Sequence, residues 1–304
     1  MSNRYEKAAD ELLQTISTDM GDRLVPKMRL ADVVDIDSLD DLATRDRWFA
    51  LSTHLDFVML DHESGLPKFA VEMDGRQHWT DLDQRRKDAI KDRICEDAEL
   101  PLLRVTSDFV TRSGRWPLLS YAVNAFYRSE AFFEAQESGL IPEDELFHHG
   151  SFITPADDGA GFLMSTFDAA AIQGLWKLHA EGQIPRSLPN VFRVRPAEDR
   201  GVRAIAYLPV AKDRYLISET RVRDFRFQGI SAQDLAEEIC IVDIANMVTA
   251  WLADEPVACN SAAMRKKAEE IQHLIETGQI GGSACGAINI EGSEPFTIRI
   301  HLGR

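Results

Sequence analysis

Apolar positions in the first third of the chain change their spacing in a definite order. Residues 4–17 place Ala8, Leu12, Leu13 and Ile16 on one face of an amphipathic helix. Arg23 to Leu30 then alternate after Gly21-Asp22, a strand that Pro26 confines to an edge or an end of a sheet. An acidic stretch from Asp32 to Asp41 and a short helix near 39–51 lead to strands at 54–61 and 68–74. The turn between them, His62-Glu63-Ser64-Gly65-Leu66-Pro67, is rich in hairpin residues. Charge spacing over 80–99 is helical, with Ile90, Ile94 and Ala98 as the apolar stripe. Pro101 introduces a compact strand, Leu102-Leu103-Arg104-Val105, and a further helix is predicted from about 116 to 134. A helix between the strands at 68–74 and 102–106 makes those two parallel neighbours, while the earlier strands pair as an antiparallel meander. The predicted class is α/β: a mixed sheet flanked by helices in the order αβββαβ.

Residues 136–160 mix acidic, Gly and Pro positions and read as a linker between a domain at 1–135 and a second, α+β domain at 161–304. In the second domain a helix is predicted at 167–181, and strands near 190–196, 202–210, 214–220 and 222–227. A helix capped by Ser231 runs to about 253. Another spans 261–277 behind a cap at Asn260 or Ser261, and strands near 285–290 and 296–302 make a terminal hairpin. No catalytic motif stands out in this half, whose role is read as targeting, regulation or assembly. Trp176 and Trp251 fit helix core positions, His148-His149 reads as loop, and the arginines from Arg193 to Arg226 lie on strands as phosphate contacts or ordinary exposed positions.

Composition narrows the class. The chain has 304 residues, 44% hydrophobic, with 34 basic against 50 acidic side chains and a net charge of −16. That is enough apolar material for packed cores, and its length suggests about two domains. No apolar run approaches the roughly 20 residues of a membrane span, and the start has no apolar stretch resembling a signal peptide, so a cytoplasmic location is expected. Cys95, Cys240, Cys259 and Cys285 are far apart and form neither a disulfide framework nor a zinc ribbon. The acidity argues against a general nucleic-acid coat. It is spread over both halves, with 18 basic and 25 acidic residues in 1–130, so neither half is a basic module.

The candidate chemistry lies where two strands end. Asp56 sits among Leu55, Phe57 and Val58, while Glu72 and Asp74 are two apart in the next strand and share a face. Three neighbouring carboxylates repel one another, and a hard divalent cation, Mg²⁺ or Mn²⁺, is the economical reason to hold them together. Such an ion acts as a Lewis acid on phosphate and lowers the pKa of bound water. Gly75 permits a sharp exit, so Arg76, Gln77 and His78 turn back over the same edge, with His78 placed to orient or deprotonate water. Most of the basic residues from Arg85 to Arg93 are interleaved with Asp83, Asp88 and Asp92 and read as an ion-paired helix face. Arg86 is read as a phosphate contact and Lys91 as a residue pointing to the site.

These segments, together with Val25-Pro26-Lys27-Met28-Arg29-Leu30-Ala31-Asp32-Val33 and Arg86 to Asp92, resemble the PD-(D/E)XK nuclease superfamily over about residues 5–106. The nearest branch is the bacterial domain-of-unknown-function family 2726, related to very-short-patch-repair-like endonucleases. The resemblance implies a restriction-endonuclease-like core with Asp56 and Glu72 as metal-binding acids. Asp74 stands where the commonest pattern has lysine, His78 matches the branch's histidine, Lys91 substitutes for the strand lysine, and Glu6 stands where an acidic residue completes such sites. The expected activity is Mg²⁺- or Mn²⁺-dependent hydrolysis of DNA, with RNA left open. The metal would be on Asp56, Glu72 and Asp74, nucleic acid on Arg76 and Arg86, and a protein partner or second copy is also open. The competing expectation is an inactive nuclease-like scaffold.

Overall fold

The computed structural model describes residues 4–39, 42–75, 81–112, 114–155, 162–195, 201–277, 287–288 and 296–297. Two compact units emerge: Met1–Phe147 with Phe225–Ile230, and His148–Asp224 with Ser231–Arg304. The division falls at 147/148, and residues of the expected 136–160 linker lie in both units.

In unit 1, α1 (Arg4–Met20) precedes β1 (Arg23–Arg29), two short helices α2 (Leu30–Val33) and α3 (Thr44–Ser52), then β2 (His54–Leu60) and β3 (Pro67–Met73). Next come α4 (Leu82–Asp97), β4 (Leu102–Val105), α5 (Asp108–Thr111) and α6 (Leu118–Glu137). The four strands lie in sequence order; β1 and β2 are antiparallel, as are β2 and β3, and β3 and β4 are parallel. The unit is therefore a mixed α/β sheet with helices, and β1, which carries Pro26, is an edge strand as its lost donor requires. Strand alternation sorts the core. Val58, Leu60, Ala70 and Leu102 pack with Ala50 of α3 and Ile94 and Cys95 of α4, while Phe69 points to the opposite side and meets Phe126 and Tyr127 of α6. The buried positions of α1 are Ala9, Leu13, Ile16 and Ser17, so its inner face is rotated slightly from the expected Ala8-Leu12 line.

The later segment Phe225–Ile230 completes this unit. Leu102 N–H donates to the Arg226 carbonyl at 2.8 Å, and Phe227 meets Phe69 edge-on and packs tilted against Phe126. Gly229 has φ +92°, and a Cβ there would fall 2.2 Å from the Ala125 carbonyl oxygen, so this close approach requires glycine.

Unit 2 opens with a small hairpin of β5 (Ile153–Pro155) and β6 (Phe162–Met164), followed by α7 (Ala169–Ala180). Its main sheet is β7 (Asn190–Val194), β8 (Gly201–Ala211) and β9 (Arg214–Arg223), all antiparallel. The sequence pattern predicts two strands at 214–220 and 222–227, where β9 is one. Helix α8 (Ala232–Leu252) lies against the small side chains of β8, its Cys240 Sγ donating to the Ala204 carbonyl. Helix α9 (Ser261–Thr277) buries Met264, Ala268 and Ile271 with Phe192, Ile205 and Tyr207 on the other face. Ser231 caps α8 through the Asp234 amide, and Asn260 Oδ1 accepts from Ala263 at the start of α9. The last short strands are β10 (Ala287–Ile288) and β11 (Phe296–Thr297).

One sequence reading in this unit changes, and two gain partners. Trp176 is 54% exposed, away from the core. Arg193, Arg195 and Arg203 are ion-paired with Asp234 and Glu237, with Asp224, and with Glu219 and Glu270. His149 lies in a loop, as expected, but is buried with its Nε2 2.6 Å from Glu238 Oε1, a partner 89 residues away that local spacing does not reveal. Burial alone would lower the His149 pKa, but the bond and charge of Glu238 raise it above the ordinary value. Burial, then the charge of Glu238, push Asp168 up to about 6.

Both shifts act in one direction. A raised histidine stabilises the fold below its ordinary value near 6.5, and that contribution is lost as pH rises through the folded value; the raised Asp168 costs stability as pH rises from its ordinary value of 3.8 to about 6. The chain's melting temperature should therefore fall between pH 5 and 8, and Asp168→Asn should recover about 3 kcal/mol at pH 8. A melting temperature that rises over this range, or an Asp168→Asn protein no more stable at pH 8, would contradict the assignment.

Candidate functional site

The inward face of α4 is divided. Ile94 and Cys95, in its C-terminal half, cover the apolar part of the sheet, whereas Lys91 is buried one turn earlier and Asp88 two turns earlier. They lie over the ends of β3 and β4, where Glu72 and Arg104 are register partners. Charged side chains at both surfaces replace apolar ones, and each must find an opposite charge to be buried.

The pairs are specific. Lys91 Nζ donates to Glu72 Oε2 at 2.7 Å and to the His54 carbonyl at 2.8 Å. Glu72 Oε1 accepts from the Asp56 amide at 3.1 Å, and Asp56 Oδ2 accepts from the Met73 amide at 2.8 Å, so the two acids brace one another's strands. Asp56 Oδ1 is bonded to Lys27 of β1. Asp74 and Arg104 are both 1% exposed in their side chains and 2.9 Å apart, and Arg104 Nε also reaches Asp92 Oδ1 at 2.6 Å. Burial raises the Glu72 pKa, the Lys91 charge opposes this, and Asp56 adds to the rise. The Arg104 guanidinium, despite burial, is held charged by Asp74, Asp92, Glu72 and Asp88. Burial pushes the nearby Cys95 thiol up to about 12, which keeps it an inert part of the core.

Glu72 and Asp74 thus share the α4 side of β3, but their carboxylates have different partners. Among the described residues no three carboxylate, imidazole or thiol groups are placed to hold one metal ion. The expected cost of gathering carboxylates is met by the chain's own cations: Lys27 for Asp56, Lys91 for Glu72 and Arg104 for Asp74. Mg²⁺ commonly takes one or two carboxylates and keeps its waters, so of the three acids Asp56 and Glu72 are the pair that could hold a divalent ion. The Asp56 side chain is 19% exposed, so this pair has an open edge. Asp74 does not fit that role while Arg104 holds it.

Asp88 and Asp92 are not the solvated members of an ion-paired surface that the charge spacing predicts; Asp88 is buried and Asp92 is bonded to Arg104. Arg86 is on the exposed side of α4, 3.4 Å from Asp83. Arg76 and His78 lie outside the described residues. Sequence reasoning misses Arg104 and Lys27. An arginine inside a four-residue apolar strand was the signal for Arg104, since it cannot be buried unpaired. Lys27 has φ +53° within an edge strand, a conformation that no local residue pattern announces. Burial lowers its pKa and Asp56, Glu6 and Glu72 more than offset this, which brings Glu6 of α1 into the electrostatics of the same cluster.

Comparison with known proteins places residues 1–115 in a match to a family described as a protein of unknown function (DUF2726). No curated protein and no solved structure matches the chain. Among the described residues, no helix is long and apolar enough to cross a membrane.

The Lys91–Glu72 pair makes a stability prediction. Lys91→Met leaves a buried carboxylate without its cation and should cost about 3–5 kcal/mol in chemical denaturation, and adding Glu72→Gln should recover most of the loss. Equal losses from the single and double variants would show that the two side chains do not act as a pair.

Proposed function

We propose that unit 1 is a PD-(D/E)XK-type phosphodiesterase that hydrolyses DNA with Mg²⁺ or Mn²⁺ held by Asp56 and Glu72. The observation that supports this reading is the bracing of those two acids, Glu72 Oε1 on the Asp56 amide, beside a buried lysine delivered from α4. A bound divalent ion would supply Lewis acidity to a phosphate oxygen and activate a water. Lys91 opposes the rise that burial gives the Glu72 pKa and fixes its second oxygen. Arg104 anchors Asp74, which we assign to positioning the end of β3. Asp56 presents its outer oxygen at the open edge, where Lys27 now neutralises it. His78 is assigned to orienting the water, and Arg76 and Arg86 to phosphate. The net charge of −16 makes DNA binding weak and salt-sensitive.

A second reading is favoured by one observation: each of Asp56, Glu72 and Asp74 already has a cationic partner within the chain. On that reading the cluster is structural and the domain is a scaffold for a protein partner. Cleavage assays on linear, nicked, mismatched and single-stranded DNA with Mg²⁺ or Mn²⁺ separate the two. The phosphodiesterase reading predicts cutting that falls roughly 100-fold or more in Asp56→Ala or Glu72→Gln, since losses around a metal site away from its ligands already cost about 10–100-fold. Activity that survives both substitutions removes this site, and no cutting of any substrate favours the scaffold.

A further inference from the structure

A second feature of unit 1 lies on the outer side of α4. A groove of about 460 Å³ between α3 and α4 is lined by Arg45, Trp48, Phe49, Arg86, Lys87 and Ile90, with Ser52 and Asp83 at its margin. Phe49 and Ile90 form a floor that is continuous with the core, whereas Trp48 is 69% exposed. Arg93 of α4 is ion-paired with Asp46 of α3, which ties the two walls together. Three cations face one carboxylate here, in a chain whose overall charge is −16. The exposed indole offers a flat apolar face, and cations on both walls select an anionic partner that can lie against it.

We propose that this groove binds an unpaired nucleotide, its base stacked on Trp48 and its flanking phosphates on Arg45, Arg86 and Lys87. Single strands are held in this way by cations that track the backbone and aromatic rings that stack bases, whereas an intact duplex keeps its base faces covered. Lys87 lies one helical turn before Lys91, about 6 Å along the axis, which sets the groove beside the turn of helix that carries Lys91 to Glu72. The inference rests on the nucleic-acid reading above and narrows its substrate to DNA with single-stranded or frayed character.

Binding is read by fluorescence anisotropy in EDTA, so that hydrolysis does not enter, with labelled dT12, an abasic strand of equal length, a 12-base-pair duplex and an oligoglutamate peptide. Wild-type protein should bind dT12 about tenfold tighter than the abasic strand, the margin expected for stacking one base. Trp48→Ala should abolish that margin and Trp48→Phe should retain it. Arg86→Ala or Lys87→Ala should weaken both strands and reduce the salt slope by about 0.7 each. Equal binding of dT12 and the abasic strand, no effect of Trp48→Ala, or tighter binding of the duplex or the acidic peptide would overturn the proposal. The two readings fail separately. Loss of cleavage in Glu72→Gln with dT12 affinity intact leaves the groove standing, while cleavage that persists beside unchanged dT12 affinity in Trp48→Ala removes the groove alone.

Discussion

The ion pair between Lys91 and Glu72 is the constraint around which unit 1 is arranged. A carboxylate and an ammonium can be buried together only when geometry and additional hydrogen bonds offset their desolvation. Here the remaining oxygen of Glu72 takes the Asp56 amide, and Lys91 also donates to the His54 carbonyl. One pair therefore ties α4 to both β2 and β3. Arg104 repeats the device one strand further on, joining β4 to Asp74 of the chain after β3 and to Asp92 of α4. The result is a sheet whose apolar half is held by Ile94 and Cys95 and whose polar half is held by opposed charges on the same helix.

Much of this frame is legible in the sequence because alternation, turn residues and helical spacing depend on neighbours. The three-strand meander, the helix after it and the parallel fourth strand follow from such local rules, as do the Ser231 cap and the edge position of Pro26. Charge placement is different. Asp83, Asp88 and Asp92 look alike in a helix of mixed charge, yet only Asp83 is fully solvent-facing, because helix rotation is set by what the sheet offers. Arg104 offers the partner for Asp88 and Asp92, and its pairing depends on the β3–β4 register. Lys27 reaches Asp56 through a left-handed backbone in β1, which spacing does not encode. Likewise the bond between His149 and Glu238 joins residues that are adjacent only after unit 2 has folded.

The arrangement also changes what the acidity of the chain means at the site. Asp56, Glu72 and Asp74 are not an unscreened cluster awaiting an external ion. They are neutralised internally, with two of their partners buried or nearly so and one, Lys27, on an exposed edge. That asymmetry separates roles: Lys91 and Arg104 maintain the architecture, while the Lys27–Asp56 contact is the one that can open without unpacking the core.

We propose that Asp56 and Glu72 form a divalent-ion pair on which Lys27 is the resident competitor. Calorimetric titration of Mn²⁺ into wild-type, Lys27→Met and Glu72→Gln proteins tests it directly. The account predicts measurable binding in the wild type, binding several-fold tighter in Lys27→Met, as removal of a half-exposed ion pair worth about 1 kcal/mol allows, and loss of binding in Glu72→Gln. Absence of Mn²⁺ binding in both the wild type and Lys27→Met would contradict it and identify the cluster as structural alone.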